Sequence, residues 1–67
     1  MNIYINSKLQ EIPENATIME ALKSSGVTAF SGIAVAVNNA IIPFSSWSSH
    51  ALGQDDNLVI IRATQGG

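Results

Sequence analysis

The opening of the chain alternates: Asn2, Tyr4 and Asn6 fall on one side, Ile3 and Ile5 on the other, the period-two pattern of a strand with one buried face. This predicts a first strand over Asn2 to Asn6. Ser7-Lys8 reads as a short polar connection, and Leu9 to Ile12 as a return strand in which Leu9 and Glu11 oppose Gln10 and Ile12 before Pro13 removes a donor. Thr17-Ile18-Met19-Glu20 has the spacing of a capping box, in which the Thr17 hydroxyl accepts the Glu20 N–H and the Glu20 carboxylate accepts the Thr17 N–H. A helix of about two and a half turns follows. Ile18, Ala21, Leu22 and Ser25 share one stripe with Met19 at its edge, and Gly26 suits the left-handed position that ends a helix. So short a helix does not persist alone in water, and its apolar stripe must lie on a sheet.

The second half is richer in strands. Val27 to Gly32 is a loop holding Phe30, and Ile33 to Asn38 places Ile33, Val35 and Val37 on one side with alanines between them. Asn39-Ala40 is read as the next turn, Ile41-Ile42 as a brief fourth strand, and Pro43 as its end. Ser45 to His50 is a serine-rich helical turn or loop around Trp47, and Gly53 to Asp56 a further turn. Asn57 to Thr64 is the strongest strand, with Leu58 and Ile60 toward the helix and Val59 and Ile61 away from it. Two layers cover this set of elements most simply. The expected class is α+β: a mixed four- to five-stranded sheet with one helix packed across it, the first and last strands parallel at its centre, which is the β-grasp arrangement. The expected core is Ile3, Ile5, Ile18, Leu22, Val35, Val37, Leu58 and Ile60. Residues 1–64 are expected to form the domain and residues 65–67 a flexible tail.

Composition narrows the function. The chain has 67 residues and no cysteine, so neither a disulfide nor a thiolate metal site can hold it, and packing and regular hydrogen bonding must. Lys8, Lys23 and Arg62 face five acids, for a net charge of −2, and such a chain has no basic face for a phosphate backbone. No nucleic-acid partner is expected. The longest apolar runs, Ile33 to Val37 and Leu58 to Ile61, fall far short of the ~20 residues of a membrane span, and Asn2 and Asn6 interrupt the N-terminus, unlike a signal peptide. A cytoplasmic protein with no membrane partner is expected. Few charges at 46% apolar content also leave apolar surface for a protein partner, and Val59 and Ile61, extended by Phe44, are read as that patch. Trp47 is read as a packing anchor, His50 as a lone loop histidine, and Asp55-Asp56 as a turn pair short of the ligands calcium needs.

The most unusual feature is the final run Ala63-Thr64-Gln65-Gly66-Gly67. Terminal glycines pack nothing and are entropically costly to order, so they contribute little to the fold. Their advantage is steric: without Cβ atoms, a terminal carboxylate can enter a narrow channel, and five extended residues reach roughly 17 Å. A carboxylate is a poor electrophile, but an adenylyl group transferred from ATP makes it a mixed anhydride open to a sulfur or amine nucleophile. The chain carries no phosphate loop, no cysteine nucleophile and no acid–base cluster around His50, so the catalysis must be a partner's and no cofactor is expected to stay bound.

The β-grasp order, the segment Ala36-Val37-Asn38-Asn39-Ala40-Ile41-Ile42-Pro43 with Trp47 four residues on, and the terminal Gly66-Gly67 together resemble the ubiquitin-like ThiS family of bacterial sulfur carriers, over the whole chain. The resemblance implies a non-enzymatic carrier of thiamine biosynthesis. Gly67 would be adenylated by a ThiF-like enzyme using ATP, then converted to a thiocarboxylate with sulfur from a donor such as a cysteine desulfurase, and ThiG thiazole synthase would accept that sulfur. Gln65, Gly66 and Gly67 would form the reacting tail. Arg62 reads equally as a solvated strand-end charge or as a partner for an acid on the adenylating enzyme. The chain departs from the family pattern at Phe44, where a basic residue is common, and at Gly53-Gln54-Asp55-Asp56, where Asp-Gly-Asp is common. Related readings are a carrier for molybdopterin or another cofactor, a ubiquitin-like modifier, and a plain interaction module.

Overall fold

Two asparagine turns set the register of the sheet. In the computed structural model, which describes residues 1–62, Asn6 and Ser7 have φ of 49° and 70°, and Asn38 and Asn39 have 50° and 72°. Each pair forms a two-residue hairpin turn with both φ values positive, the twist that matches antiparallel strands, and Asn tolerates that conformation better than most residues. The strands are β1 (Asn2–Ile5), β2 (Lys8–Glu11), β3 (Ile33–Val37), β4 (Ala40–Ile42) and β5 (Asn57–Arg62), with helix α1 (Ile18–Ser24) and a 3-10 turn at Phe44–Ser46. Both turns therefore fall one residue earlier than the polarity pattern suggests: Lys8 and Ala40 belong to strands, and Asn6 and Asn38 to turns.

The sheet order is β2-β1-β5-β3-β4, with β1 and β5 parallel and every other neighbouring pair antiparallel. The expected α+β, β-grasp arrangement is found, with all five strands in one sheet and β5 at its centre. Residues 63 and 64, expected to continue the last strand, and the tail 65–67 lie outside the described residues.

Helix α1 is short, and its ends are tied by specific partners. The capping box at Thr17 and Glu20 forms as expected, with Thr17 N–H donating to Glu20 Oε1 at 2.9 Å and Glu20 N–H to Thr17 Oγ1 at 3.2 Å. The two remaining early donors are met by the segment around Trp47: Ile18 N–H reaches the His50 carbonyl at 3.1 Å and Met19 N–H the Trp47 carbonyl at 3.0 Å. At the other end Gly26, at φ 90°, closes a Schellman turn in which Val27 N–H donates to Leu22 O and Gly26 N–H to Lys23 O.

The core lies between α1 and one face of the sheet. Ile3, Ile5, Ile18, Leu22, Val35, Val37 and Leu58 are buried as expected, while Ile60 is half-buried against that cluster. Ile12, Ala16, Val27, Trp47 and Leu52 complete it from the connecting segments. Trp47 is 1% exposed and its indole N–H donates to the Ile42 carbonyl at 2.8 Å, so it is the packing anchor the sequence suggested. Among the described residues no helix is long and apolar enough to cross a membrane.

Candidate partner-binding site

Every candidate residue except Phe44 lies on β5 or on the segment that follows it, and β5 is fastened along both flanks by the turn asparagines. On the β1 side Asn6 N–H donates to the Leu58 carbonyl at 2.9 Å, and Asn6 Oδ1 accepts the Ile60 N–H at 2.8 Å. On the β3 side Asn38 N–H donates to the Asn57 carbonyl at 2.8 Å, and Asn38 Oδ1 accepts the Asn57 N–H at 2.9 Å. Asn38 Nδ2 in turn donates to Asp56 Oδ1 at 3.0 Å, while Asp56 Oδ2 accepts the Gly53 N–H at 2.7 Å. Asp56 is thus a turn residue in full use, and Asp55, at φ 66°, makes the bend. Together these bonds fix where β5 begins, at Asn57 as expected, and hold it on both flanks.

The sheet has one covered face and one open face. Cross-strand pairs Tyr4 with Leu9, Ala36 with Val59, Ala36 with Ile41 and Ala34 with Ile61 place all of these side chains on the face away from α1. Tyr4, Leu9, Ile41 and Ile61 are 40%, 62%, 64% and 47% exposed, and Val59 is half-buried among them. Ala36 is buried although it lies on this face, because Val59 and Ile41 flank it and its own side chain is one methyl group. The result is a low central strip of alanines bordered by larger apolar groups, with no helix or strand over it among the described residues. Such a patch on so small a chain is the usual mark of a protein partner.

The structure brings Val59 and Ile61 together and sends the other two candidates elsewhere. Phe44 is 60% exposed, and its ring meets the edge of Trp47 with centroids 5.0 Å apart, on the helix side of the sheet beyond β4. Arg62 alternates to the helix side, opposite Ile33, and lines a groove with Ile60 and Lys8. Gln65, Gly66 and Gly67 lie outside the described residues. Tyr4, Leu9 and Ile41 are members of the open patch that the sequence reading did not name. The alternation of β1 already sets Tyr4 opposite Ile3 and Ile5, but joining it to Leu9 and Ile41 requires the hairpin register, which the one-residue turn offset obscured. Among the described residues no group of three or more histidine or acidic side chains is placed to hold a metal ion.

A family model described as the ThiS family matches residues 3–67. The crystal structure of thiamine biosynthesis protein ThiS from Geobacter metallireducens superposes with a TM-score of 0.85 at 19% identity, covering 100% of this chain and 100% of that one. At that identity the likeness speaks for the fold, and it is the same β-grasp arrangement. No curated protein sequence matches the chain significantly.

Proposed function

The chain belongs to the ThiS family, and on that premise we propose that it is a sulfur carrier for thiazole formation in thiamine biosynthesis. The observation that carries the reading is the family match, whose span of residues 3–67 takes in Gly66-Gly67. The tail continues from the central strand, so the domain that a partner grips and the group it reacts with are joined by a few residues.

In this reading residues 1–64 are the handle, and Gln65, Gly66 and Gly67 are the part that enters partner active sites. A ThiF-like enzyme transfers AMP from ATP to the Gly67 carboxylate and releases pyrophosphate. A donor persulfide, supplied through a cysteine desulfurase, then displaces AMP to form an acyl disulfide, and a thiol that attacks its S–S bond takes the donor sulfur into a mixed disulfide and leaves a terminal thiocarboxylate. That group is soft, nucleophilic and anionic near neutral pH, so it can attack an electrophilic carbon held by ThiG thiazole synthase, and cleavage of the resulting acyl–sulfur bond, with water as the net oxygen donor, leaves the sulfur on the acceptor and returns the carrier with an ordinary carboxylate. The carrier has no catalytic residue of its own in this scheme and keeps no cofactor; ATP is consumed by the partner, in the cytoplasm.

The open face is the proposed grip, with Val59 and Ile61 joined by Tyr4, Leu9 and Ile41. Phe44 and Arg62 sit at the margins of the domain, where they would contact a partner that wraps beyond the sheet. Incubation with a ThiF-like enzyme, ATP and a cysteine desulfurase should raise the intact mass by one oxygen-to-sulfur exchange at Gly67. Its absence under conditions where ATP is consumed rejects the reading, and an isopeptide ladder on denaturing gels would assign the chain as a protein modifier.

A further inference from the structure

Strand β5 outruns its parallel neighbour. The pairing with β1 joins Tyr4 to Asn57 and Ile5 to Leu58 and ends there, while β5 continues to Arg62. The next acceptor on that flank is the Asn6 side chain, which takes the Ile60 N–H because the backbone of Asn6 has already turned away. Strand alternation then leaves the Ile60 carbonyl and the Arg62 N–H on the same flank, with no backbone partner among the described residues.

This flank opens onto a groove of about 300 Å³ walled by Ile5, Asn6, Lys8, Val27, Ile60 and Arg62. Two of the three cationic side chains, Lys8 and Arg62, are exposed along it, and none of the five acidic side chains lines it. In a chain of net charge −2 the groove is therefore a local cationic site, with Ile5, Val27 and Ile60 set beside the polar Asn6, Gln10 and Ser25 and, among the described residues, two main-chain groups without a backbone partner at one side.

We propose that this groove binds an extended acidic segment of a partner protein, which adds as a short strand beside Ile60–Arg62 with its carboxylates against Lys8 and Arg62. Main-chain bonds supply the alignment, and the two cations select the sign of the partner. The inference goes beyond the carrier reading, because it rests on the groove and stands or falls whether or not Gly67 is thiolated.

The test uses the full chain, ¹⁵N-labelled, and a capped synthetic peptide of alternating valine and glutamate. Saturable shifts are expected at the amides of Ile60, Arg62 and Val27, weakening with added salt. Lys8→Glu and Arg62→Glu should each weaken binding about fivefold or more, while Lys23→Glu, an equal change in charge outside the groove, should stay within about twofold. A peptide of alternating proline and glutamate, which lacks ladder donors at every second residue, should bind more weakly. The proposal is overturned by no saturable shift at millimolar peptide, by shifts confined to Tyr4, Leu9 and Ile41, by equal response to a valine–lysine peptide or to free glutarate, or by equal binding of the proline peptide.

Discussion

The side-chain carbonyl of Asn6 accepts the backbone N–H of Ile60 at 2.8 Å, linking positions 54 apart in sequence. One residue thereby serves two purposes: it adopts the positive φ that turns the first hairpin, and it extends the hydrogen-bond ladder along the strand that leads to the tail. Replacing Asn6 should expose both. Asn6→Ala is expected to cost about 1–2 kcal/mol, from left-handed strain and a lost acceptor, and to speed hydrogen exchange at Ile60. Asn6→Gly relieves the strain without restoring the acceptor, so it should recover the strain part of the stability but not Ile60 protection. Denaturant unfolding and amide exchange read the two effects separately, and an Asn6→Ala chain as stable as the parent with unchanged Ile60 exchange would contradict the assignment.

Trp47 is the largest side chain in the core and lies on an irregular segment. Truncation to alanine removes its packing with Phe30 and Phe44 and the bond to the Ile42 carbonyl, a loss of about 3–5 kcal/mol. A domain of this size has only about 3–5 kcal/mol in total. Trp47→Ala is therefore expected to be largely unfolded at room temperature, without a cooperative melt by circular dichroism. Trp47→Phe, which keeps an aromatic ring and loses the indole donor, should remain folded with a lower Tm.

The capping box offers a milder test. Thr17→Ala frees the Glu20 N–H and breaks the reciprocal pair, at a cost of about 1 kcal/mol, or about 4–8 °C in Tm. Thr17→Asp should recover most of that loss, since aspartate caps as well as threonine. A Tm unchanged by Thr17→Ala would mean that the carbonyls of His50 and Trp47, which hold the first two helical N–H groups, suffice to start the helix.

How far the sequence could be read follows from where its signals are local. The capping box, the Gly26 stop and the alternation of β1 and β5 depend on residues a few positions apart, and the structure has each of them. The polarity pattern sets both hairpin turns one residue late, because Asn6 and Asn38 fit the polar phase of a strand as well as the first position of a tight turn. What decides for the turn is their bond to β5, more than 15 residues away in each case, which no local window contains. Ile12, Ala16 and Leu52 carry no local core signal for a similar reason: they sit between elements, where no periodicity marks them, and are buried because α1 docks on the segment from Trp47 to Leu52. The clean alternation of β5 puts Val59 and Ile61 on the open face, whereas no local signal shows that Phe44, read as an extension of that patch, instead meets Trp47, or that Arg62 lines a groove with Lys8.

The open face should matter for recognition and little for folding. Ile61 is 47% exposed, so Ile61→Asp removes little buried area, and its Tm should stay within a few degrees of the parent. In the adenylation and sulfur-transfer assay the same change should lower kcat/KM about tenfold or more, since a charge would then be pressed into an apolar contact. Lys23→Glu, on the exposed side of α1, is the matched control and should leave the rate nearly unchanged. Equal activity of Ile61→Asp and the parent would remove the open face from the proposed partner contact.

The last prediction concerns the group on which the carrier reading turns. Deleting Gly67, or adding an alanine after it, changes no described contact, so Tm and the amide spectrum of residues 1–62 should match those of the parent. The chemistry should nonetheless be lost. A displaced or lengthened terminus presents its carboxylate at the wrong depth in the adenylating site, and misplacing a reacting atom by about 1 Å can already cost 100-fold. Gly66→Ala should fall between, because a Cβ beside the terminal residue narrows approach to the carbonyl without moving it. A folded chain lacking Gly67 that still acquires one sulfur by intact mass would show that the reacting group is elsewhere; a folded chain that acquires none, beside a parent that does, places it at Gly67.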